Sequence, residues 1–409
     1  MKKSMLREYA RLIVRSGVNI QKGQTLILNA GLDQPEFVQM VVEEAYKAKA
    51  KEVIVEWSYQ GLTRVHSRYQ SLKTMSTVHD WQLARLEHYC QILPARLHLT
   101  SADPDGLKGV NMAKMSKARQ ITYPITKPYH ERMENKEQWC IAAVPGVAWA
   151  KKVFPGLSKG QAVEKLWEAI LAAARVDGVH DPVEAWVQHS ANLVGHCDIL
   201  NKLKITQLHY TAANGTDFTV GMMEKGVWRG GCDTSLQGID FNPNIPTEEV
   251  FISPKRGLAE GMVHSTMPLS YRGQLIDKFW LRFEGGKVVE VGAEQGLKAL
   301  QEMVAMDEGA AYLGECALVP QDSPICAGGI LFYNTLFDEN ASCHLALGRG
   351  YADTIDGFEN LTREECREMG LNDSMIHVDF MIGCESMNID ATCADGSVVR
   401  IFENGNWAV

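Results

Sequence analysis

Two polar residues break an apolar run near the end of the chain. The stretch "MIHVDFMIG" sets His377 and Asp379 two residues apart. In an extended strand successive side chains alternate, so these two face one way while Ile376, Val378, Phe380 and Ile382 face the other. Burying an unpaired carboxylate is costly, so Asp379 calls for a hydrogen-bonded partner or a metal ion. Three further stretches carry candidate groups. "NIPTEEVFISP" holds Glu248 and Glu249, which alternation places on opposite faces and which, taken alone, read as a solvated edge. "YLGECALVP" holds Glu315 in an otherwise apolar strand, and "LFDENASCHLALGRGY" holds Asp338, Glu339, His344 and Tyr351. Singly, Glu315 reads as a buried acid paired with an arginine and His344 as a satisfied core histidine. Together, carboxylates and imidazoles drawn from several strand ends, with no cysteine cluster, suit one or two divalent ions such as Zn²⁺, Co²⁺ or Mn²⁺. The set exceeds what one tetrahedral zinc needs and matches a two-ion site, with a carboxylate bridging ions roughly 3.5 to 4 Å apart.

Other chemistries lack their residues. There is no HExxH pair, no GxxxxGK[ST] phosphate loop and no GxGxxG after the first strand. Cys343 beside His344 is an adjacency in sequence and gives no triad geometry, so the thiol reads as a packing residue. The net charge of -9, with no dense Lys/Arg stripe, argues against nucleic acid or an anionic membrane as partner. Ten cysteines without a CxxC pair read as free thiols in a reducing compartment. The opening "MKKSMLREYARLIVRSG" is apolar at helical spacing, but Arg7, Glu8, Arg11 and Arg15 interrupt any signal-type segment. No run approaches the roughly 18 apolar residues of a membrane span, and a cytoplasmic location is expected.

The elements that must position these groups fall into two halves. "TLILNA", "PEFVQMVVEEAYKAKA" and "EVIVEW" read as strand, helix and strand, a βαβ unit of about thirty residues. "RLHLTSAD" and "QWCIAAVP" are further strands separated by helical material. Lys159 to Leu203 is mainly helical, broken near "DGVHDPV". Thereafter hairpin signals dominate, at Asn214-Gly215, Gly285-Gly286, Asp395-Gly396 and Asn404-Gly405, with one clear helix in "GLKALQEMVAMDEG". The expectation is a two-domain α/β and α+β chain: an α/β domain over residues 1–200, then a mostly antiparallel, barrel-like β-rich catalytic domain over 201–409.

The stretches "NIPTEEVFISP", "GECALVPQDSPI", "FYNTLFDENASCHLALG" and "HVDFMIG" resemble the signature segments of the thermophilic-aminopeptidase family of dinuclear metallopeptidases, the aminopeptidase T and S type. "YARLIVRSGVNIQKGQTLILNA", "QWCIAAVPGVAWAKKVFPG" and "ANGTDFTVGM" extend the likeness in order along nearly the whole chain. The resemblance implies a metal-dependent aminopeptidase that hydrolyses N-terminal residues from short peptides by way of two divalent metal ions per chain, with Zn²⁺, Co²⁺ or Mg²⁺ as candidates. It implies Glu249, Glu315, Glu339, His344, His377 and Asp379 as metal ligands and Tyr351 as a catalytic side chain; Glu315, in the middle of that set, is the expected bridging carboxylate. It also implies a homodimer with an enclosed site. "GRGY" departs from the pattern, placing Arg349 where members more often have small residues. The competing readings are a two-metal hydrolase of another amide or ester, and a non-catalytic metal-binding scaffold.

Overall fold

The strand and helix periods of the first half build a parallel sheet. The structure, a computed structural model, describes all 409 residues. Helix α1 (Lys3–Leu12) precedes strand β1 (Thr25–Gly31), helix α2 (Pro35–Lys47) and strand β2 (Glu52–Ser58). Helices α3 (Gln60–Tyr69), α4 (Leu72–Met75) and α5 (Asp80–Ile92) lead to β3 (Ala95–Thr100), and α6 (Met112–Met133) leads to β4 (Trp139–Ala143). Helices α7 (Val147–Val153) and α8 (Lys159–Ala173) follow. Proline opens α2, where its missing N–H costs nothing. A reciprocal Ser158–Gln161 capping box opens α8.

The strands pair in the order β4, β3, β1, β2, all parallel, and Asn244–Ile245 adds a short fifth strand beside β4. Leu26, Ile27 and Leu28 in succession are fully buried, as a strand covered on both faces requires. Tyr9, Phe37 and Trp167 pack as an aromatic cluster with ring centroids 5.4 to 6.1 Å apart. By its contacts this unit comprises Met1–Val187 and Cys232–Ile245, and the second unit comprises Gln188–Gly231 and Pro246–Val409. The helical stretch Lys159 to Leu203 is broken where expected, between α8 and a helix over Pro182–Leu203.

The second unit is built of antiparallel hairpins. Gly285 and Gly286 turn the chain with φ of +56° and +78°, the left-handed pair that a two-residue hairpin of matching twist demands. They join Gln274–Glu284 to Lys287–Gln295. The expectation of a barrel is corrected: both sheets are open. A nine-stranded sheet runs from Leu269–Tyr271 to Asn406–Trp407, and a five-stranded sheet from His377–Met381 to Arg229–Gly230. Their apolar faces share one core, in which Leu208, Phe218 and Phe279 of the larger sheet join Cys316, Leu345 and Phe380 of the smaller. Stacking two sheets buries those faces without closing either, and short terminal strands limit the open edges.

All ten cysteines are free, and no helix is long and apolar enough to cross a membrane. Phe279 is 1% exposed and meets Phe380 of the facing sheet at 5.8 Å between centroids. Phe279→Ala should cost about 3 to 5 kcal/mol, read as a lowered urea midpoint of the second unit.

Candidate metal centre

The five-stranded sheet of the second unit gathers most of the candidate groups on one face. Its order is His377–Met381, His344–Gly348, Leu313–Leu318, Val250–Ile252 and Arg229–Gly230, antiparallel throughout. Register places Glu315 opposite Ala346 and Ala346 opposite Asp379, so two carboxylates flank a methyl group across three strands. Ala317 faces His344, and Gly348 faces His377. Alternation keeps Glu315, His344, His377 and Asp379 on one side while Cys316, Leu345, Leu347 and Phe380 enter the core on the other. A break in register between Leu313 and Glu315 marks a bulge, the device that re-aims a side chain at a site. Gly348 is held at φ +108° with Ile376 O 2.1 Å from where a Cβ would stand, so only glycine lets these strands meet opposite His377.

The donor atoms converge in two overlapping triads, Glu249–Glu315–His344 and Glu315–His377–Asp379, each within 4.8 Å. Glu315 belongs to both. His344 Nε2 lies 3.1 Å from Glu249 Oε2, while its Nδ1 lies 3.2 Å from Ser342 O. His377 Nδ1 donates to Arg349 O at 2.7 Å, which leaves Nε2 facing Glu315 Oε2 at 3.0 Å, Asp379 Oδ1 at 3.1 Å and the Tyr351 hydroxyl at 3.3 Å. Backbone carbonyls thus fix both imidazoles with Nε2 inward, the second-sphere arrangement that orients ligating histidines. Arg349 contributes to this through its main chain.

Electrostatics asks for a cation here. Four carboxylates (Glu249, Glu315, Glu339, Asp379) stand against two imidazoles, so with all four ionised two negative charges stay uncompensated even when both rings are protonated. Burial raises Glu315 to about 7, with His377 opposing and the charges of Glu249 and Asp379 adding to the rise. Glu339 is pushed well above the usual carboxylate range by burial and by Asp379 and Glu249. Burial disfavours protonation of His344, but Glu249 outweighs it and lifts the ring to about 10. His377 is likewise raised against its burial, by Asp379 and Glu315. Asp379 Oδ1 is buried and is satisfied only when the His377 ring, 3.1 Å away, carries a proton on Nε2. Two protonated rings are the only compensation within the triads, and a divalent ion fits the same donors better: carboxylate and imidazole atoms, converging, without thiolate.

The remaining candidates are placed as follows. Glu339 lies in the one-turn helix Glu339–Ala341, outside both triads, with Asn340 Nδ2 3.4 Å from its Oε1. Tyr351 keeps 37% of its surface exposed while its hydroxyl meets His377. Asp338 has a structural task, accepting from the N–H groups of Phe332 and Asn334 at 2.7 and 2.9 Å. The reading of Glu248 and Glu249 as a solvated edge is corrected. Both are buried, and residues 246–249 are irregular, with strand starting only at Val250, so alternation does not govern them. Sequence reasoning passed over Asn340 and Ser253. Asn340 Oδ1 accepts from Glu248 N at 2.7 Å, and Ser253 Oγ accepts from Tyr351 N at 2.8 Å. Asn340 has no signal beyond its place next to Glu339, and Ser253 has none.

A fold of this kind with such a donor set defines a divalent-metal protein. The description "Thermophilic metalloprotease (M29)" matches residues 2–407, and the chain belongs to that family. Aminopeptidase AmpS of Bacillus subtilis (strain 168) is 42% identical over 404 residues, 98% of each chain. Aminopeptidase PepS of Streptococcus thermophilus is 42% identical over 409 residues, 100% of this chain and 98% of its own. The solved structure of wild-type AmpT from Thermus thermophilus matches with a TM-score of 0.90 at 36% identity, covering 100% of both chains.

The row Glu315–Ala346–Asp379 yields a test. Ala346→Val puts two methyls between the carboxylates, and metal affinity should fall at least tenfold by competitive chelator titration, with the far-ultraviolet spectrum unchanged.

Proposed function

We propose that the cluster of the second unit is the catalytic centre of a metal-dependent aminopeptidase that releases N-terminal residues from short peptides. Two converging triads sharing Glu315, in a chain of the M29 family, carry this reading. Glu249, Glu315, Glu339, His344, His377 and Asp379 would hold two divalent ions, Glu315 being the side chain common to both triads. When bound, such ions polarise the scissile carbonyl and lower the pKa of a water to about 7. The chain's own residues do the rest. Arg349 O keeps the His377 proton on Nδ1 and so keeps Nε2 free for ligation. Burial, then the charges of Glu315 and Asp379, hold the Tyr351 hydroxyl well above its ordinary pKa, so its proton stays on the phenol oxygen. That hydroxyl donates to the oxygen on which charge develops during attack. Ser253 Oγ and Thr354 Oγ1, bonded to the Tyr351 backbone at 2.8 and 2.6 Å, fix where the ring stands.

Metal analysis should give two ions per chain, and a chelator should abolish hydrolysis of aminoacyl chromogenic substrates, with Co²⁺, Zn²⁺ or Mg²⁺ restoring it. One ion per chain at full activity overturns the two-ion reading. Glu249→Gln and His377→Ala should fold and lose turnover, and unchanged activity in both refutes the ligand assignment. Tyr351→Phe should lower kcat by about a hundredfold with metal content unchanged. A substrate panel separates the other reading: cleavage of blocked amides with free-amine peptides inert would make this an amidase of another kind. An enclosed homodimeric site belongs to the same proposal, and a fully active monomer in light scattering refutes that part.

A further inference from the structure

The first unit holds a crevice that the metal centre does not use. The order of winding reverses within its parallel sheet: β1 connects to β2 on one side, and the chain then returns to β3 on the other side of β1. In open α/β sheets such a reversal leaves a gap outside the carboxyl ends of the two strands, where the connections diverge to opposite faces, and ligands bind there. A cavity of about 820 Å³ occupies this place, within the range of small-molecule sites and too large for one amino acid. Asn29 of β1 and His98 of β3 are register partners, and Thr100 lies two residues beyond His98 on the same face. All three line the cavity, and their side chains make no hydrogen bond within the protein.

The walls are set in advance. The Gln60 amide of α3 bonds the Asp103 backbone in both directions, at 3.1 and 2.9 Å, and Arg64 Nε donates to Gly106 O at 2.5 Å. Ser101 Oγ donates to Asp33 Oδ1 at 3.0 Å at one end. Tyr59, 60% exposed, folds its ring over Gly61 at the rim.

We infer that this crevice is a second ligand site, taking an uncharged nucleoside-type ligand: a heteroaromatic ring joined to a hydroxylated sugar. The floor of amide, imidazole and hydroxyl offers donors and acceptors without net charge, as a base edge requires. Crowding by the protein, and then the Arg96 cation, hold His98 below its ordinary pKa and so neutral. The Tyr59 ring offers a stacking face. The Asp33 carboxylate accepts from sugar hydroxyls, and Asp33 and Asp103 together outnumber the one cation of the lining, Arg64, which disfavours a phosphate.

Equilibrium dialysis of the metal-loaded chain against adenosine, guanosine, uridine, cytidine and their 5′-monophosphates tests this. At least one nucleoside should saturate at one per chain, with its monophosphate at least fivefold weaker. Asn29→Ala and His98→Ala should each weaken binding about tenfold and keep aminopeptidase turnover, which also reports that they fold. Thr100→Val gives a third, milder probe of the same face. Glu315→Gln should leave nucleoside binding unchanged, so the result stands apart from the fate of the metal assignment. The inference is overturned if no nucleoside binds at millimolar concentration, if monophosphates bind as tightly, if binding survives Asn29→Ala, His98→Ala and Thr100→Val alike, or if Glu315→Gln removes it.

Discussion

An excess of buried negative charge organises the second unit. Glu249, Glu315, Glu339 and Asp379 sit within reach of one another's fields, and only His344 and His377 oppose them. Such a cluster is stable only while compensated, because each uncompensated buried carboxylate costs several kcal/mol and escapes by taking up a proton. The shifts show that escape: Glu315 and Glu339 rise and both rings are raised, while Asp379 is pulled down by His377. A divalent cation replaces the ring protons and lets every carboxylate keep its charge.

The sheet makes that concentration of charge possible. Each ligand-bearing strand spends its alternate positions on the shared core, where Cys316, Leu345, Leu347 and Phe380 anchor it. A one-residue slip would exchange the two sets and bury carboxylates among aromatics, so the apolar face fixes register for the polar one. Small residues do the spacing. Ala346 and Ala317 leave the volume above the middle strands to longer side chains from their neighbours, and Gly348 lets the backbone of Ile376 approach.

What the sequence disclosed follows from the range of the physics involved. The hairpin at Gly285-Gly286 was legible because a two-residue turn is set by its own backbone angles. The common facing of His377 and Asp379 was legible because alternation is local and the strand is regular. Glu248 and Glu249 misled because the same alternation was applied to residues 246–249, which are not strand. Open sheets in place of a barrel were hidden, since closure depends on which distant edges meet. The fifth strand of the first unit, Asn244–Ile245, is two residues long and has no periodicity to read. The roles of Asn340 and Ser253 depend on contacts about 90 to 100 residues away in sequence, to Glu248 and Tyr351.

The two sheets place polar groups by opposite rules. In the antiparallel sheet, ligands stand on a face, because connections between adjacent strands are short and one whole face is free of the core. In the parallel sheet both faces are covered by helices, as the run Leu26, Ile27, Leu28 shows, so polar side chains gather at the carboxyl ends. Asn29, His98 and Thr100 stand where β1 and β3 run out from under that cover. Groups there need no charge compensation, since solvent reaches them, and so they can stay neutral and unpaired. The same chain therefore offers a buried, charged centre that demands a cation and an open crevice whose floor is neutral, suited to a ligand without charge.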